Sequence, residues 1–194
     1  MLDKCGAKLA DALCDNHIIK EENKEIIVYG IDALLSTLIN VVIVVGLGLI
    51  LKLFLPTVVF LISFAVLRVF AGGYHAKTRI GCTASFLTIY LAGMTLQQYT
   101  PDIFVKPVTI GLAAISFASV FILAPVEHPN RPYQGNDYQV FKRMSRIIVS
   151  LQTLLVIAGT FFMGYENLAY CISLAMLGVT IILALAGKVK VRGE

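Results

Sequence analysis

Apolar residues in this chain come in long, almost uninterrupted runs separated by short polar loops. Six runs approach the roughly 20 residues that a helix needs to cross a hydrocarbon layer at about 1.5 Å per residue. They are Gly30–Leu51, Leu53–Ala71, Ile80–Gln98, Pro107–Pro125, Arg146–Gly164 and Leu168–Gly187. None alternates polar with apolar residues as a membrane barrel strand does, and lipid offers no partner to an open backbone N–H or C=O, so each run reads as a helix. The expected fold is all-α and polytopic. The third run is the most polar, carrying Thr83, Ser85, Thr88, Thr95, Gln97 and Gln98, and two readings stay open for it: a full span, or a partly re-entrant segment packed on protein.

Residues 1–29 follow another pattern. Leu2, Cys5, Leu9, Leu13, Ile18 and Ile19 recur near helical spacing opposite Lys, Asp and Glu, which suits an amphipathic helix lying on the membrane surface; an ordinary solvated helix would show the same pattern. No cleavable leader is expected, because the first apolar run starts only near Gly30, is too long, and has no small-residue cleavage site after it. The chain then divides into an interfacial helix over 1–29, a membrane domain over 30–187 and a basic cytoplasmic tail over 188–194.

Composition agrees: 58% of the residues are hydrophobic, against roughly 45–50% in an average soluble chain. The excess faces lipid. Charge adds an orientation, since Lys and Arg collect in the short cytoplasmic loops of membrane proteins. With both termini inside, every one of the sixteen Lys and Arg residues except Lys52 and Lys106 falls on the cytoplasmic side. A multi-pass protein of the cell membrane, N-in and C-in, is predicted.

The four cysteines do not form a disulfide framework: Cys5 and Cys14 would be cytoplasmic, Cys82 opens a helix at that face, and Cys171 lies inside an apolar run. No CxxC or HxxxH pair offers a metal site, so no metal or other cofactor is expected, and no nucleic-acid partner either. Of the two long cytoplasmic loops, the second reads PVEHPNRPYQGNDYQVFKRMSR over Pro125–Arg146. Its three prolines exclude a continuous helix over the first half. The cluster from Lys142 to Arg146 marks re-entry into the membrane and reads as an anchor for anionic lipid at the inner face.

The first loop, RVFAGGYHAKTRIGC over Arg68–Cys82, holds the candidate chemistry. Ionisable groups near membrane depth are costly and need a reason to be there. Asp32, Arg68, His75 and Cys82 all fall at the cytoplasmic side of this topology. Gly72 and Gly73 end a helix and let the chain turn. In one straight helix His75 and Cys82 would stand two turns apart, about 10.5 Å along the axis, too far for a hydrogen bond. A bend at the glycines would let His75 take the thiol proton. The thiolate is the nucleophile, and an imidazolium, cationic neighbours and a helix N-terminus each favour it; His75, Lys77 with Arg79, and the Gly81–Cys82 helix start supply one of each. Asp32 could orient the imidazole as a triad carboxylate does. The plainer alternatives are a packing cysteine, an interfacial histidine, and an arginine whose head group reaches the lipid phosphates.

The string RVFAGGYHAKTRIGC, with Arg68, Gly72-Gly73, His75, Ala76 and Cys82 in this order and spacing, resembles the accessory gene regulator protein B (AgrB) family. The likeness extends to YGIDALLSTLIN at the first span, to the hydrophobic layout and to APVEHPNRP after the fourth span. The resemblance implies a membrane cysteine endopeptidase that processes a short amphipathic quorum-sensing propeptide (AgrD). Cys82 and His75 match its catalytic pair, and Arg68 and Gly73 match positions needed for activity. Cys82 would attack a propeptide carbonyl, release an acidic C-terminal tail and leave a thioester, which an internal cysteine or serine closes to a thiolactone or lactone. Arg68 would bind substrate carboxylates, and the Cys82 N–H would face the oxyanion. Asp32 departs from the Gln or Glu of relatives, so a shared charge there does not follow. A homodimer is compatible with so small a membrane enzyme, although no residue pattern specifies one. The rival classes are a small transporter or permease and a non-enzymatic scaffold; the short chain and the lack of charge inside spans four to six speak against transport.

Overall fold

Every long apolar run forms a helix. The computed structural model describes residues 24–72, 79–126, 135–162 and 164–192, together with Asp11 and Cys14. Its helices are α1 (Lys24–Ile50), α2 (Phe54–Ala71), α3 (Arg79–Tyr99), α4 (Asp102–Leu123), α5 (Asp137–Phe161) and α6 (Glu166–Arg192). The protein is an all-α polytopic membrane protein. Among the described residues, α2, α4, α5 and the Glu166–Ala186 part of α6 are long and apolar enough to cross a bilayer, and α1 adds a shorter apolar stretch, Leu34–Ile50.

Several boundaries differ from those the apolar runs predict, α1 being helical from Lys24 rather than from Gly30. α4 begins at Asp102 after Pro101 and runs through Pro107, its sixth residue, at the cost of one backbone hydrogen bond to the Ile103 carbonyl. α5 begins at Asp137, well before the apolar run, since its first turns are polar and stand clear of the hydrocarbon layer. α6 continues to Arg192, so the first residues of the basic tail extend the last helix.

The chain divides into two compact units, residues 1–43 and 44–194. In the first, Asp11 and Cys14 are helical, and Lys24 at the head of α1 forms a 2.6 Å ion pair with Asp11. Leu2, Cys5, Leu9, Leu13, Ile18 and Ile19 of the amphipathic pattern lie outside the described residues.

In the second unit α6 is the hub, packing against α2, α3, α4 and α5. Its membrane span is 61% buried, against about a third for those of α2, α4 and α5. Close approach is possible because α6 carries Gly178: a Cβ there would stand 2.7 Å from Ile89 Cγ2 of α3 and 3.4 Å from the Phe64 ring of α2. Small residues serve this purpose wherever membrane helices meet. The outer surface stays apolar, with Ile62, Ile103, Ile122 and Leu154 all exposed, as a lipid-facing bundle requires.

The polarity of α3 has a local resolution. Ser85 Oγ donates to the Gly81 carbonyl at 2.8 Å and Thr88 Oγ1 to the Ala84 carbonyl at 2.8 Å, so both exposed hydroxyls are satisfied inside the helix. Deeper in, the Thr57 and Tyr90 hydroxyls are hydrogen-bonded at 2.7 Å and buried, joining α2 to α3. Gln152 Nε2 of α5 donates to the Ser63 carbonyl of α2 at 2.8 Å.

Candidate functional site

α2 ends at the first glycine of the Gly-Gly pair. Gly72 has φ +71°, a conformation open to glycine at no steric cost. Its N–H donates to the Arg68 carbonyl at 3.1 Å, and the Arg68 guanidinium donates forward to the Gly72 carbonyl. A cation at a helix C-terminus also meets the negative end of the helix dipole. The last turn of α2 is thus closed on itself by Arg68.

A second chain segment seals this corner. The Val126 N–H donates to the Ala71 carbonyl at 3.0 Å, and Gly72 and Val126 pair as an isolated parallel bridge. The space a side chain at Gly72 would need is filled by the Val126 carbonyl oxygen. Both long polar loops therefore leave the bundle from one pinned point, the first after Gly72 and the second after Val126.

Aromatic rungs set the register of α2 against α3. The Phe60 and Tyr90 rings meet edge to face at 5.7 Å, and one turn further along the Phe64 and Phe86 rings lie 5.0 Å apart. Each step of four residues forward in α2 matches four residues back in α3, as antiparallel helices demand. The next step reaches Arg68 on α2 and Cys82 on α3. These two residues therefore stand at one level along the bundle. Cys82 lies in the first turn of α3, half-buried, with its thiol free of any disulfide.

The same end of the bundle carries further charge. Arg146 of α5 lies over the Phe121 ring of α4 at 4.4 Å and donates to the Phe121 carbonyl at 3.3 Å, so the head of α5, with Lys142 and Arg143, sits beside the tail of α4. At the other end Lys106 pairs with Glu166 at 3.7 Å, and Thr100 and Tyr170 share a hydroxyl hydrogen bond of 2.9 Å. Lys52 occupies the turn that precedes α2 at that end. The two cations that the charge pattern sets apart, Lys52 and Lys106, are thus separated from Arg68, Lys142, Arg143 and Arg146 by the length of the bundle.

Of the predicted site residues, Arg68 and Cys82 are brought to one level. His75 and Gly73 lie outside the described residues. Asp32 belongs to the backbone of α1 in the first unit, and its side chain is outside the described set. The Val126 backbone is the site element that residue types do not announce, since a valine after Ala-Pro carries no signal for pairing with a helix end.

Comparison with known proteins decides the family: the sequence profile described as "Accessory gene regulator B" matches residues 7–184. The chain belongs to the AgrB family. Among its relatives, "Putative AgrB-like protein 2" of Clostridium perfringens strain 13 is 29% identical over 159 residues, 79% of this chain and 73% of the relative. A "Putative AgrB-like protein" of Clostridium perfringens strain SM101 is 28% identical over 192 residues, covering 96% of this chain and 88% of the relative. One of the same name from Listeria innocua is 26% identical over 141 residues, 72% of this chain and 67% of the relative. No solved structure matches the chain. The match to AgrB runs across all six helices and includes Arg68, Gly72 and Cys82.

Proposed function

We propose that this AgrB-family protein is a membrane-embedded cysteine endopeptidase that trims and cyclises an AgrD-like propeptide at the cytoplasmic face. The observation that carries the reading is the α2/α3 register, in which a half-buried free thiol and an arginine share one level at the cation-rich end of a lipid-exposed bundle. In this reading both termini are cytoplasmic and the catalytic pair is Cys82 and His75.

The chemistry balances without a cofactor. His75 accepts the Cys82 proton as the sulfur attacks a propeptide carbonyl; the C–N bond then breaks, the proton passes to the departing amine, and the acidic tail leaves. The thioester is next attacked by a cysteine or serine side chain within the propeptide, whose proton goes to His75 as the Cys82 thiolate departs and a ring closes. Cyclisation outruns hydrolysis because the internal nucleophile is held close while water is kept away. The Cys82 backbone N–H, near the start of α3, is assigned the oxyanion role. Gly73 supplies turning freedom beside His75, and Arg68 fixes the helix end from which that turn starts and meets the substrate carboxylates.

The test is co-expression with a short gene encoding an amphipathic peptide with a central cysteine or serine and an acidic end, followed by peptide mass. Intact protein should yield a tail-less species further reduced by the mass of water relative to the free acid. Cys82→Ser and His75→Ala should abolish it at unchanged membrane levels. Cleavage that survives Cys82→Ser, or no cleavage by the unaltered protein with any such peptide, overturns the reading.

A further inference from the structure

α5 presents one continuous outward stripe. Val140, Arg143, Ile147, Leu151 and Leu154 recur at helical spacing and are all exposed, so the stripe begins among charges and runs down the lipid-facing wall of the bundle. At its head is a depression of about 770 Å³, lined by Asn136, Tyr138, Lys142, Arg143, Arg146 and Ile147. Ligand sites for small molecules commonly occupy about 300–1,000 Å³.

Two of the three cations there are held in place. Lys142 Nζ stands 5.5 Å from the centre of the Tyr138 ring, and Arg146 is fixed by the ring and carbonyl of Phe121, with its Nε buried and lacking a hydrogen-bond partner. Against these cations the described part of α5 carries a single acid, Asp137. Groups ordered beforehand lose less freedom when a ligand arrives.

We propose that this depression is a binding site for an anionic phospholipid. The phosphate lies among Lys142, Arg143 and Arg146, and an acyl chain runs along Ile147, Leu151 and Leu154. Charge alone would suit any anion, but the apolar stripe decides between them: a water-borne acidic peptide has no use for a track that leads into hydrocarbon, whereas a lipid has both parts. The site differs from a diffuse attraction of basic loops to the membrane surface, because it requires specific cations beside a specific wall. It stands whether or not the peptidase reading holds.

The chain contains no tryptophan, which gives a direct assay. Tyr138→Trp, in the full chain reconstituted in phosphatidylcholine vesicles, places one reporter in the depression, and brominated lipids quench it on contact. Brominated phosphatidylglycerol should quench several-fold more than brominated phosphatidylcholine at equal mole fraction. A reporter at Tyr99→Trp, exposed at the opposite end, should show no preference. Adding Lys142→Gln and Arg143→Gln should bring the preference down to near parity, while Lys142→Arg keeps it and so separates lost charge from lost folding. Glycerol phosphate in solution should not displace the lipid. Equal quenching by both lipids, a preference that survives the double substitution, displacement by glycerol phosphate, or displacement by a soluble glutamate-rich peptide would each overturn the proposal, the last two by identifying a free phosphate or an acidic peptide as the occupant.

Discussion

The rings of Phe64 and Phe86 lie 5.0 Å apart across α2 and α3; one turn beyond Phe64 on α2 stands Arg68, and one turn before Phe86 on α3 stands Cys82. An aromatic rung inside the bundle thereby fixes the level of Cys82, the proposed nucleophile, relative to Arg68, and the polar end of the bundle inherits its alignment from the apolar core. Damage to the rung should reach the chemistry, and the same logic gives the expectations below.

Arg68 closes the end of α2 and, in the proposed function, also binds the substrate. Arg68→Ala should lower stability by only about 1 kcal/mol, the worth of a hydrogen bond with a favourable dipole contact. Peptide processing should fall on the order of tenfold or more, as expected when a charged partner of a substrate carboxylate is lost. Thermal unfolding in detergent and cleavage rate, measured on one preparation, separate the two. If cleavage declines only as far as the folded fraction does, Arg68 is a cap and nothing more.

Gly72→Ala meets two obstacles together, a left-handed backbone conformation and the Val126 carbonyl. The first costs about 1–3 kcal/mol and the second adds about 1–3 kcal/mol of overpacking. A fall in Tm of several degrees is expected, larger than that of Gly135→Ala, where φ is also positive but the space around the glycine is open. Equal effects at the two positions would remove the Val126 clamp from the account.

Thr57 and Tyr90 should couple. Tyr90→Phe and Thr57→Val each remove one partner of a buried hydroxyl pair, and the double variant should lose less than the two together, with a coupling of about 0.6 kcal/mol, the average for hydrogen bonds between membrane helices. A double-mutant cycle in unfolding experiments reads it. Strict additivity would mean the hydroxyls do not bond.

Gln152 offers the opposite case. It donates to the Ser63 carbonyl, yet its own Oε1 is buried without a partner. Gln152→Met keeps the length of the side chain and removes both the bond and the stranded acceptor, so stability should move by less than about 1 kcal/mol. Gln152→Ala should cost about 2–3 kcal/mol through the cavity it leaves. A large loss on Gln152→Met would show that the amide does more than the hydrogen bond implies.

The helices were legible because membrane spans announce themselves by unbroken apolar length, and Gly72 announced a helix end because nothing else follows an apolar run with two glycines. Start points were less legible. Pro107 reads as a boundary although the helix begins at Asp102, and the amphipathic head of α5 is hidden by a loop rich in polar residues. The polarity of Ser85 and Thr88 was plain, but not that each bonds back one turn in its own helix. Least legible was the corner at Ala71, Gly72 and Val126, since backbone pairing between segments far apart leaves no trace in residue type. Cys82 at a helix start was readable from Gly81 and the apolar residues after it, while its level with Arg68 needed the aromatic rungs.

The hub position of α6 bears on how the protein is made. The helix that touches α2, α3, α4 and α5 is synthesised after all of them, so those helices enter the bilayer with the faces meant for it uncovered. Assembly can close only once α6 has been made, and a nascent chain stopped before Glu166 would keep the contacts of α5 with α2 and α4 but leave those faces bare.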